Sequence, residues 1–181
     1  IRRWLQNYFN LKLFIMQVAE VKDAQLAWDF LEVNAMMNAG NPNYIRSLNN
    51  EVNEVFDPAK NKNFKWGKAK RWVAFADNGE PIGRIAAFTN EKYINKGTEF
   101  KTGGVGFFDC INDQATANVL FDTAKQWLIS EGMEAMDGPI NFGDRDKWWG
   151  LMVEGFEQEP MYGMSYNPSY YKELFEGYGF Q

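Results

Sequence analysis

The spacing of apolar positions changes period along this chain, and each change marks an element. Residues 11–21 read LKLFIMQVAEV, an apolar and β-branched run that predicts a first strand. Asp23 then offers an N-cap, and Leu26, Phe30, Val33 and Met37 recur on one stripe, predicting a helix over 24–37. AGNPN breaks that helix. A second is expected over about 45–56, ending at Asp57-Pro58, because the residue before proline disfavours helical backbone. RWVAFADNGEPIGRIAAF predicts a hairpin, with strands at 71–76 and 81–88 around Asp77-Asn78-Gly79-Glu80. GGVGFFDCI (103–111) reads as another strand. Ala117, Leu120, Phe121, Ala124, Trp127 and Leu128 line one face of a helix over 114–130 that stops at Glu131-Gly132. EAMDGPI predicts a further strand, followed by a loop, a short helix near WWGLMVEGF, an extended PMYGMSY and a closing helix in YYKELFEGYGFQ.

No repeat or linker divides the chain, so residues 1–181 are expected to form a single mixed α/β domain. Ile1, Trp4, Leu5, Tyr8 and Phe9 share a helical face beside Arg2 and Arg3, which predicts an amphipathic extension over 1–10. It would pack on the domain or a second subunit, or lie on a membrane surface.

Composition narrows the chemistry. A hydrophobic fraction of 45% in 181 residues supports a folded core. A net charge of −5 and a pI near 4.9 exclude the basic face of a nucleic-acid binder. The densest basic run, KNKNFKWGKAKR at 60–71, reads as a solvated loop or as a guide for an anionic ligand. The chain has no histidine, which removes Ser-His-Asp and Cys-His catalysis and every His-ligated metal site. Cys110 is the single cysteine, so no intrachain disulfide forms and a cytoplasmic setting is expected. Cys110 itself reads as a small buried hydrophobe. No run of about 18 apolar residues predicts a membrane-spanning helix, and no membrane partner is expected.

The stretch GPINFGDRDKWWG (138–150) holds candidate catalytic groups. Asn141 would end a strand, and Asp144, Arg145 and Asp146 follow beside Trp148 and Trp149. A carboxylate among aromatics could take a proton from an amine through water. The other reading is a loop held by Asx turns. The spacing does not fit a calcium loop, and no metal is expected. Arg84, in GRIAAF, would face a cleft or pair with an acidic neighbour. Gly103, Gly104 and Gly106 strip side chains from one strand, for a close backbone approach or for a bulge.

Five segments carry a resemblance: GRIAAF, VGFFDCINDQATANVLFDTAKQWLISEGM, GPINFGD, GLMVEGF and YNPSYYKELFEGYGF. In this order they resemble the GNAT acyltransferase superfamily, in a bacterial branch of GNAT-like proteins, over nearly everything after about residue 11. The resemblance implies an α/β (α+β) fold with a mixed central sheet flanked by helices, and a last strand that would follow Phe180. It implies acyl-CoA, or an acyl-carrier thioester, bound where two central strands splay apart, with a pantetheine arm pairing to one of them at Gly104, Val105, Gly106 and Phe107. The pyrophosphate would lie on the helix start at Gln114, Ala115, Thr116, Ala117 and Asn118. A small-molecule amine would attack the thioester directly, and an acyl-carrier protein is the partner that could present the donor. GNAT-like domains also suggest a homodimer by analogy.

The sequence departs from that pattern in named places. The expected Gln/Arg-x-x-Gly-x-Gly/Ala loop reads Asn112-Asp113-Gln114-Ala115-Thr116-Ala117, so Ala115 replaces the first glycine and no arginine leads. Asp109 and Asp113 bring negative charge towards the phosphates; at roughly 6 Å and an effective dielectric near 20, one such pair costs about 3 kcal/mol before screening. Asp113 is equally a natural N-cap. The tyrosine that protonates a departing thiolate in the superfamily is Phe175 here. Tyr170, Tyr171 and Tyr178 are expected on other helix faces. The function expected is N-acyl transfer from a thioester to an amine. The alternative is an inactive GNAT-fold module that binds a ligand or a protein.

Overall fold

The computed structural model describes residues 16–92, 99–143 and 145–181. The expected extension at 1–10, the start of the run read as a first strand, and Asp144 lie outside those residues. Among the described residues, five strands form one sheet in sequential order. They are β1 (Gln17–Glu20), β2 (Gly67–Phe75), β3 (Pro81–Asn90), β4 (Thr102–Cys110) and β5 (Ala135–Asp137). The first four pair antiparallel and β5 joins β4 in parallel. A parallel neighbour needs a long crossover, supplied by α3 (Gln114–Ser130). Three further α-helices lie among the described residues, α1 (Ala24–Met37), α2 (Asn49–Val55) and α4 (Tyr171–Tyr178), with a 3-10 turn at Lys62–Lys65.

Successive strand side chains point to opposite faces, and both faces of this sheet are covered. Trp72, Ala74, Ile85 and Ala87 meet Leu120, Phe121 and Leu128 of α3 and Tyr171, Leu174 and Phe175 of α4. The residues between them, Val73 and Ala86, meet Phe30, Leu31 and Val33 of α1 and Val52 of α2. Two-sided burial is why β3 reads as an almost unbroken apolar run. Phe121 anchors the first layer, stacked on Phe108 with centroids 4.6 Å apart and edge-on to Phe175 at 4.9 Å. A side chain buried like this contributes about 1.5–3 kcal/mol.

Helices α1 and α3 have the expected limits, and each is closed by its acidic cap. The Asp23 carboxylate accepts from Leu26 N at 2.8 Å, and that of Asp113 from Thr116 N at 2.7 Å. Helix α2 begins later than its sequence suggests. Tyr44 is tied to Asn34 and Arg46 to Glu32, both on α1, which holds 45–48 out of the helix. The expected short helix near WWGLMVEGF does not form. Trp148, Gly150 and Gly155 all take positive φ, at 47°, 87° and 79°. PMYGMSY is not extended; Met164 N bonds Met161 O in a turn, with Gly163 at φ 82°.

One irregularity positions everything that follows. Arg84 faces Asp109 while Ala86 faces Gly106, so β4 carries an extra residue against β3. The bulge centres on Phe107, whose φ is 49°. β5 pairs with β4 only from Thr102 to Gly104. After the cis peptide before Pro139, a last bond runs from Ile140 N to Val105 O. Beyond it the two strands part.

Candidate active site

Where β4 leaves β5, a cleft of about 90 Å³ opens beside the bulge. Its walls come from α1, the 44–49 segment, the bulge, the 148–151 and 164–167 stretches and α4. Its polar centre is Asp109, buried with Arg84. Arg84 Nε donates to Asp109 Oδ2 at 2.6 Å and Nη1 to Phe30 O at 2.8 Å. Asn34 Nδ2 reaches both Asp109 oxygens at 3.0 Å. Tyr171 OH donates to Asp109 Oδ1 at 3.0 Å and accepts from Cys110 N at the same distance. Tyr44 OH donates to Asn34 Oδ1 at 2.5 Å. Asp109 therefore spends its acceptor capacity on an arginine, an amide and a phenol, and serves as an anchor.

The two phenols are held neutral. Burial, then the charge of Asp109, raises Tyr44 above its ordinary value and Tyr171 well above it. They act as hydrogen-bond donors, not bases. Burial also pushes the Cys110 thiol far up, which leaves it unreactive. In the cleft wall Phe107 and Trp148, both in left-handed backbone, set their rings 5.5 Å apart. Bulky residues in that region cost roughly 1–3 kcal/mol each and gather at functional sites.

The residues expected from sequence fall in different places. Phe107 lines the cleft, whereas Gly104, Val105 and Gly106 are buried by the protein's own atoms. A Cβ on Gly106 would lie 1.9 Å from Ile140 O, and one on Gly104 would lie 2.1 Å from the Phe88 ring. Both readings of the glycine strand thus hold: the close approach is by Ile140, and the bulge follows it. At the start of α3, the Thr116 N–H and hydroxyl bond the Asp113 carboxylate, and Ala117 N bonds Asp113 O. Gln114 donates to Leu174 O and Asn118 Oδ1, clamping α4 to this end. The first-turn N–H groups of Gln114 and Ala115 precede the first intrahelical bond. Asn141 is buried beside Arg145 and Trp149 in a separate cavity of about 140 Å³. Asp146 is exposed, two residues before the cleft-lining Trp148.

Sequence reasoning missed Asn34 and Tyr44, and it wrongly set Tyr171 on a different helix face from Phe175. For Tyr171 the signal was present: it precedes Phe175 by four residues, which puts both on one helix face. Both edge onto Phe108, at 5.3 and 5.0 Å. Asn34 and Tyr44 carried no such signal, because their meeting with Asp109 is set by the α1 packing. Among the described residues, no group of three or more acidic or thiol ligands is placed to hold a metal ion. No helix among them is long and apolar enough to cross a membrane.

A groove of about 1000 Å³ runs along α3, β5 and α4 and shares Pro139, Gly150, Leu151 and Phe175 with the cleft. The gap between β4 and β5 is thus flanked on both sides by open space. Solved structures share this architecture. An aminoglycoside N-acetyltransferase, AAC(6')-Iy in complex with CoA, superposes with a TM-score of 0.55 at 13% identity, over 92% of this chain and 88% of that one. The same enzyme with a bisubstrate analogue, CoA-S-monomethyl-acetylneamine, gives 0.53 at 12% identity, over 92% and 90%. The fold is that of the GNAT acetyltransferases.

No protein-family model matches the chain. Two curated proteins are similar to this GNAT-fold chain in sequence. A bacterial ceramide synthase of Caulobacter vibrioides is 30% identical over 155 residues, which is 86% of this chain and 40% of that protein. Protein YghO of Escherichia coli is 29% identical over 151 residues, 83% of this chain and 38% of that protein. The chain spans about two fifths of the length of these relatives.

Proposed function

We propose that this chain carries the acyl-transfer site of an N-acyltransferase, with acyl-CoA as the donor and an amine as the acceptor. The observation that carries the reading is the parting of β4 and β5 at the Phe107 bulge, directly over a cleft with polar groups at its base. The GNAT fold and the CoA bound to its solved neighbour support the donor. The similarity to a ceramide synthase supports an amine acceptor, since a ceramide is an N-acyl amide.

In this reading the thioester enters through the gap between the strands, and the amine nitrogen attacks its carbonyl carbon. The C–S bond breaks as the C–N bond is made, the nitrogen gives up one proton, and the sulfur leaves as thiolate and gains one from solvent. Phe175 has no proton to give, so no side chain in the superfamily position is asked to supply one. Tyr44 and Tyr171 hold the cleft wall as neutral donors. Asp146 is proposed to take the amine's proton through water, with Asp144 as the neighbouring candidate and Asn141 as a support of that loop. The N–H groups of Gln114 and Ala115 are proposed to meet the donor's pyrophosphate, with Thr116, Ala117 and Asn118 forming the turn behind them. A carrier-protein thioester is the variant in which that contact matters least.

Calorimetric titration with CoA, an acyl-CoA and a phosphopantetheine fragment tests the donor. Micromolar binding that needs the nucleotide supports acyl-CoA. Binding of the fragment with equal strength moves the donor to a carrier protein, and no binding by a folded protein overturns the reading.

A further inference from the structure

The size of the cleft restricts what can accompany the amine into it. At about 90 Å³ it is smaller than the roughly 150 Å³ cavity that encloses one benzene ring. It accommodates the reacting groups and little hydrocarbon. Its mouth, however, is apolar. Ile45 and Met164 line it, and Leu48 lies between the lining residues Ser47 and Asn49. The Met161–Met164 turn is held beside them: the Tyr162 hydroxyl bonds Glu51 on α2, and Trp148 N donates to Gly163 O at 2.7 Å. Ile45, Leu48, Met161, Tyr162 and Met164 are 49% to 76% exposed. One exposed apolar side chain is ordinary, but two that line the cleft, with three more on the same short segments, make an apolar rim of the kind that marks an interaction site. The cations of this rim are offset within it, Arg46 by Glu32 at 2.5 Å and Lys147 by Glu51 at 3.6 Å. The rim therefore does not present a charged field that would select a charged partner.

The geometry points to a long-chain primary amine as the acceptor, its amino group in the cleft and its hydrocarbon chain laid on the rim of Ile45, Leu48, Met161 and Met164. This rests on the acyl-transfer reading above. The chain covers apolar side chains that otherwise face water, and each methylene transferred adds to affinity. A short amine gains nothing there.

The test compares butylamine with dodecylamine as acceptors, in the wild type and in a Leu48→Glu/Met164→Glu double variant whose melting temperature is measured alongside. In the wild type, KM falls by about tenfold or more from the short to the long amine, the gain expected when two methylenes leave water. The double variant brings that ratio to within about twofold. A wild-type ratio near one, or a ratio the double variant leaves intact, overturns the inference. If neither amine is acylated, the acyl-transfer reading fails by itself, and direct binding decides the rim. Tighter binding of dodecylamine than of butylamine, lost in the double variant, supports it; equal binding of the two amines overturns it. Should the double variant unfold, the single Leu48→Glu variant is read in the same way.

Discussion

Arg84 on β3 and Asp109 on β4 pair across the bulge, Nε to Oδ2 at 2.6 Å, with side chains only 6% and 3% exposed. The pair sits directly opposite in the β3–β4 register, and the guanidinium also lies over the Phe30 ring at 4.7 Å. Both expectations for Arg84 are met, since it lines the cleft and pairs with an acidic neighbour, and Asp109 turns towards Asn34 of α1. Taking both charges out of water is costly, so the pair is better evidence for a fixed geometry than for net stability. Removing one partner is another matter. Arg84→Met leaves the carboxylate buried and uncompensated and is expected to lower unfolding stability by about 3–5 kcal/mol, read from urea denaturation.

Tyr170 gives a pH signature. Its hydroxyl donates to Cys110 O at 2.7 Å, and its pKa is pushed up to about 12, chiefly by burial, with Cys110 and Asp109 adding to the rise. The folded state holds this proton more tightly than the unfolded chain, where the phenol titrates near 10. The stabilisation is fully present below pH 10 and is lost as pH rises towards 12. The urea midpoint should therefore fall across that window, and Tyr170→Phe should make the fall shallower. An unchanged slope in the variant would assign the alkaline loss to other phenols.

Asp113 sets two demands against each other at the start of α3. Its carboxylate closes the helix, and its charge opposes a pyrophosphate. Asp113→Asn keeps the cap, since asparagine caps as well as aspartate, and removes the charge. CoA binding should tighten several-fold while pantetheine, which carries no phosphate, binds as before, both by calorimetry. Equal effects on the two ligands would show that no phosphate approaches this turn.

Gly106→Ala tests the crossing that starts the splay. The added Cβ meets a backbone carbonyl, Ile140 O at 1.9 Å, which cannot rotate away as a side chain would. Overpacking of this kind costs about 1–3 kcal/mol or more, expected as a lower melting temperature. A variant as stable as the wild type would mean that β5 moves freely from β4 at this point.

Much of this fold was legible in the sequence because its signals are local. Asp23 and Asp113 announce the starts of α1 and α3, Gly179 at φ 112° closes α4, and Asn78-Gly79 marks the β2–β3 turn. The glycines of β4 hinted at both the bulge and the close approach. The site was less legible, because its members are brought together by packing. Asn34 and Asp109 are separated by 75 residues, and nothing in either neighbourhood names the other. The stretch from Trp148 to Gly155 misled for the opposite reason: its apolar spacing suits a helix, while three of its residues take positive φ, one of them a tryptophan whose ring packs against Phe107.

Acyl transfer is tested by amide formation. The purified protein is incubated with a long-chain acyl-CoA and a primary amine, the amide is read by mass spectrometry, and free CoA thiol is titrated with a disulfide reagent. The protein's single thiol, Cys110, is buried and adds little background. Amide and thiol are expected in equal amounts, both reduced by Asp146→Asn without a change in melting temperature. A folded protein that binds acyl-CoA yet forms no amide with short or long amines would contradict acyl transfer.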